Sequence, residues 1–81
     1  MVGTMPRNFT AEARALAERL EVAGLIESAT ALRDAIDFSS TGSEILFGLR
    51  FHLHQFIATA PTDLHATARE LADAIDAAIR G

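Results

Sequence analysis

Residues 42–58 read GSEILFGLRFHLHQFIA. The run has no alternation of β-branched and polar residues, and its apolar positions recur with a helical period. At about 100° per residue, Ile45, Leu46, Leu49, Leu53, Phe56 and Ile57 share an arc of about 120°, wide enough to pack one side of a bundle. Phe47, Phe51 and Ala58 fall outside that arc, about 200–240° from Ile45, with His54 among them. Three of the five phenylalanines of the chain lie in this stretch, two of them outside the first arc, so the second apolar side is an aromatic one.

Two readings account for that second side. A helix that is apolar all round is ordinarily a buried one, here surrounded by the rest of the chain. Alternatively Phe47, Phe51 and His54, with Arg50 beside them, line a surface that meets another chain, since aromatic residues are enriched at the centres of interfaces. Both can hold, with one phenylalanine inside and the other outside. A chain this short rarely encircles one helix, and two exposed phenylalanines make an adhesive patch. The expectation is therefore a homodimer with this helix at or near a two-fold axis, the commonest closed symmetry. Gly48 costs the helix about 1 kcal/mol relative to alanine. It predicts the close approach of another helix, from the same chain or a second one. The expected partner-binding residues are Phe47, Phe51, His54, Arg50 and Gly48.

Outward from this stretch, the chain resolves into three further helices. Upstream, Ser39-Ser40-Thr41-Gly42-Ser43 is a break, and Thr41 followed by Glu44 fits a capping box. Before it, residues 10–23 and 26–38 form two amphipathic helices separated by almost no loop, which predicts an antiparallel hairpin. Asn8 or Thr10 can cap the first, and Gly24 supplies its left-handed stop. Ala13, Leu16, Ala17, Leu20 and Ala23 form its apolar stripe; Leu25, Ala29, Leu32 and Ile36 form that of the second. Downstream, the Thr59–Asp63 turn opens a helix over 62–80, with either Pro61 in its first position or Thr62 as its cap. Leu64, Ala68, Leu71, Ala72, Ile75, Ala78 and Ile79 form its stripe, and Arg69, Asp73, Asp76 and Arg80 its solvated side. The prediction is all-α: a compact antiparallel bundle of four short helices, roughly 10–23, 26–38, 42–58 and 62–80, in one domain (10–81) after a flexible N-terminus (1–9).

Composition narrows the function. With 81 residues there is room for one domain, and 49% hydrophobic content argues against disorder. Seven basic residues, all arginine, against eleven acidic ones give a net charge of −4, which disfavours a partner built of phosphates, and no helix presents a basic recognition side. No nucleic acid is expected. No cysteine is present, so neither a disulfide nor a thiolate metal site is available. None of His52, His54 and His65 has a histidine or carboxylate three or four residues away, the spacing a helical metal site requires, and His52 and His54 point about 200° apart. No cofactor and no metal are expected. The serines lack a nucleophile elbow, the loop glycine lacks a phosphate-loop lysine, and no carboxylate pair shares an apolar pocket, so the protein is not expected to be an enzyme. No apolar run reaches the roughly 18 residues of a membrane span, and residues 1–8 have no apolar signal core, so a cytoplasmic location away from membranes is expected.

The remaining class is a non-catalytic protein–protein interaction module, homodimerising through the aromatic-rich third helix. Protonation of His54 one turn from Arg50 would add a second positive charge there, so acidification below about pH 6 is expected to loosen an interface on that side. The alternative is a small acidic neutraliser of the bacterial immunity or antitoxin kind, masking a basic partner. Its candidate surfaces are Glu18, Glu21 and Glu27 at the first helical turn-around, and Asp73 with Asp76.

Overall fold

The computed structural model describes residues 7–80. Four helices, α1 (Phe9–Val22), α2 (Ile26–Asp37), α3 (Gly42–Ile57) and α4 (Thr62–Arg80), form an all-α bundle with no strand among the described residues. Each boundary lies within a residue of the sequence expectation. Of the N-terminal segment expected to be flexible, residues 1–6 lie outside the described residues, as does Gly81. Arg7, Asn8 and Phe9 are described: Asn8 caps α1, and Phe9 begins it.

The ends of the helices show why the chain turns where it does. Asn8 Oδ1 accepts from the Ala11 N–H at 3.0 Å, satisfying one of the amides that a helix start leaves unpaired. At the far end Gly24 has φ +86°, the left-handed geometry that glycine adopts without strain. Its N–H donates to Glu21 O at 3.0 Å, and the Leu25 N–H donates to Leu20 O at 2.8 Å. This pair of bonds is a Schellman motif, and it turns the chain directly into α2. Before α3, Thr41 Oγ1 accepts from the Glu44 N–H at 3.2 Å. The reciprocal bond to Glu44 Oε1 comes from the Ser40 N–H at 3.1 Å, one residue earlier than a capping box places it. Pro61 takes the cap position of α4, its carbonyl accepting from Leu64 and His65, and Thr62 is the first helical residue rather than its cap.

Consecutive helices are antiparallel neighbours, and α4 closes back against α1. Leu16 and Leu20 of α1, Leu32 of α2, Leu49 and Leu53 of α3, and Leu71 and Ile75 of α4 fill the centre. Ala13, Ala17, Ala29, Ala68 and Ala72 are fully buried between them and keep the helices close. Two residues assigned to the stripes are exposed. Ala23 lies past the last turn of α1, and Ala78 sits at the edge of its stripe near the end of the longest helix. No described helix is long and apolar enough to cross a membrane.

Gly48 marks a close crossing of two helices. A Cβ built there would sit 3.1 Å from Ala35 Cβ and 3.7 Å from Ala35 Cα. The close approach expected of Gly48 is thus made within the chain, α3 against α2. Gly48→Leu should destabilise the fold by about 1–3 kcal/mol, because a branched side chain there forces the two backbones apart. Urea denaturation followed by far-UV circular dichroism measures it; an unchanged midpoint would mean that the crossing is not tight.

Candidate partner-binding surface

Helix α3 separates its two apolar sides as the wheel anticipates. Leu49, Leu53 and Phe56 are buried, and Ile45, Leu46 and Ile57 pack partly buried around them. On the other side Phe47 is 53% and Phe51 57% exposed. No described helix covers them, so the other three described helices do not enclose α3. Phe47 and Phe51 are four residues apart, one above the other on the helix. With Arg50, His54 and Gln55 they line an open groove of ≈ 510 Å³. The Phe51 ring meets His52 edge-on, with centroids 5.2 Å apart, which steadies one wall.

Of the five residues expected to meet a partner, Phe47, Arg50, Phe51 and His54 are brought together here. Gly48 turns instead towards Ala35, as described above. A further exposed ring, read in the sequence only as a helix end, is Phe38, the C-cap of α2, which is 80% exposed. Its signal in the sequence was available but weak. Phe38 sits just past the α2 stripe, and its side is fixed only once the α2–α3 register is known.

The charged groups beside the rings are not loose. Arg50 Nε donates to Asp76 Oδ1 at 2.7 Å, and His54 Nε2 lies 3.1 Å from Asp76 Oδ2. Asp76 was assigned to the solvated side of α4, but its side chain is only 20% exposed and is shared by two groups of α3. Burial pushes the Asp76 carboxyl up. The hydrogen bonds from His54 and Arg50, with their nearby positive charge, outweigh it and hold the carboxyl below its ordinary value. The carboxylate also alters the electrostatics expected of acidification, because a charged His54 would face Asp76 as well as Arg50.

The candidate acidic surfaces are partly neutralised within the chain. Glu21 pairs with Arg33 at 3.0 Å, and Asp73 with Arg69 at 3.5 Å. Arg7 bridges Glu12 and Glu70, each at 2.7 Å, and so ties the start of α1 to α4. The hydrogen bond from Arg7 holds the Glu12 carboxyl below the usual carboxylate range. Glu18, Glu27 and Asp34 have no ion pair among the described residues. No three histidine, aspartate or glutamate side chains converge as a metal site among those residues. Comparison with known proteins finds no matching family, no similar curated protein and no similar solved structure.

The Asp76 clamp has a pH signature. A carboxyl held below its unfolded value stabilises the fold above that value, near 3.8, and the contribution is lost as pH falls through the folded value. Asp76→Asn should therefore melt below the wild type at pH 7, and the gap should close between pH 4 and pH 2. Thermal melts across that range test it; a gap constant with pH would show that the charge of Asp76 is not what holds α3 to α4.

Proposed function

We propose that the protein is a non-catalytic protein–protein interaction module that homodimerises through the outer side of α3, with Phe38 of α2 extending the surface. The observation that carries this reading is the pair Phe47 and Phe51, both more than half exposed on a helix whose opposite side is fully used by the core. Burying a phenylalanine is worth roughly 1.5–3 kcal/mol, so covering several such rings is a substantial driving force. Contiguous exposed apolar patches of this kind mark interaction sites more often than they mark plain surface. The rings are held by a well-packed helix, so little ordering cost accompanies association.

Support for an immunity- or antitoxin-like role is thinner. It rests on net charge, and several of the acidic groups proposed for it are already paired with arginines of the same chain.

Light scattering coupled to size exclusion at micromolar concentration should give twice the 8.7 kDa chain mass. Phe51→Asp should give a folded particle of single-chain mass. Because Phe51 is largely outside the core, the substitution should cost the isolated fold no more than about 1 kcal/mol. A wild type that elutes as a monomer at 100 µM would overturn the reading.

A further inference from the structure

The α2–α3 seam fixes a geometry that the exposed rings alone do not. Ala35 and Gly48 touch, and they set a common origin on the two antiparallel helices. Ile36 and Leu49 each lie about 100° round from that origin, and both are buried, so the core is on that side of both helices. Phe38 and Phe51 each lie about 60° round in the opposite sense, and Asp34 and Phe47 about 100°. All four therefore share one outer side that spans α2 and α3. Its α2 edge is acidic, carrying Glu27 and Asp34; its α3 edge carries Arg50 and His54, both held by Asp76 of α4.

The heights match as well. Asp34 is one residue before Ala35 and Arg50 two after Gly48. On antiparallel helices that leaves them about 1.5 Å apart along the axis, and Phe38 and Phe47 about 3 Å apart. A two-fold axis parallel to the helices preserves height and exchanges α2 with α3. It lays the acidic edge of each copy on the Arg50 edge of the other. A two-fold perpendicular to the helices would set acidic edge on acidic edge.

We infer that the occupant of this side is a second copy of the chain, related by a two-fold parallel to α2 and α3, with Asp34 opposite Arg50 of the partner subunit and Phe38 opposite Phe47 of the partner subunit. The inference rests on the self-association proposed above and adds its arrangement. Among the described residues Asp34 has no ion pair, and Arg50 uses only its Nε on Asp76, leaving its terminal nitrogens without a partner there. The three rings expose roughly 300–450 Å² between them. That is about half of the roughly 800 Å² per partner of a stable interface, so the proposed contact extends over the rest of the outer side of α2 and α3.

The test is a pair of full-length variants, Asp34→Arg and Arg50→Glu. Each alone places like charges opposite each other twice in its dimer and should weaken self-association roughly tenfold or more. Mixed in equal amounts, they restore two opposite-charge pairs, and native mass spectrometry should show mixed dimers well above the statistical half. Because Arg50→Glu also faces Asp76, a second pair guards against a folding defect. Asp34→Cys mixed with Arg50→Cys should cross-link on air oxidation, while Asp34→Cys alone should not; the chain has no other cysteine to confuse the result. A dimeric wild type whose mixed variants neither associate preferentially nor cross-link would overturn this arrangement while leaving self-association standing. A monomeric wild type would overturn both.

Discussion

The contact between Gly48 and Ala35 is the constraint from which the rest of the architecture follows. With only the Ala35 methyl between them, α2 and α3 approach closely, and the contact sets how each helix is turned about its own axis. Leu49 and Ile36 are thereby turned inward together, and Phe51 and Phe38 outward together. A bulkier residue at 48 would part the helices and leave both sets of side chains free to reorient. The helix-propensity cost of a glycine in mid-helix is offset by a register that assigns every neighbouring residue to one side or the other.

That register explains why polar groups are placed as they are. The core contains no buried polar or charged side chain among the described residues, so packing alone holds its centre. Ion pairs sit at the margins, and three of them join two different helices: Arg14 with Asp37, Arg33 with Glu21, and Arg50 with Asp76. Exposed pairs of this kind contribute little stability individually. Their consequence here is geometric. Asp76 reaches from α4 and fixes Arg50 and His54 at the border of the exposed rings, so both groups are presented at a defined height rather than on freely rotating side chains.

Much of this was legible in the sequence because the signals were local. The Asn8 cap, the Gly24 stop and the Thr41–Glu44 cap each act within a few residues, and the apolar period of each helix needs no knowledge of its neighbours. The double-sided character of α3 was equally visible, since Phe47 and Phe51 cannot share an arc with Leu49 and Leu53. What the pattern could not supply were relations across the chain. Gly48 was legible as a site of close approach, but not as one that faces Ala35, 13 positions earlier. Asp76 looked like a solvated carboxylate because its partners lie on another helix, 22 and 26 residues away. Phe38 looked like the end of a helix because its side depends on where α3 comes to rest.

A surface with charge of one sign needs a foreign partner of the other sign. A surface with unpaired carboxylates on one edge and a cation with free donors on the other can meet its own image under one particular rotation. The outer side of α2 and α3 is proposed to be of the second kind. Its two edges arise from two helices that share one register, so any shift of that register moves both edges by equal amounts in opposite directions along the axis. The same closeness of Gly48 to Ala35 that seals the core thus governs how well one copy can meet another. In the proposed dimer, folding and association are linked through a single helix crossing, and a disturbance there reaches the partner even though neither residue touches it.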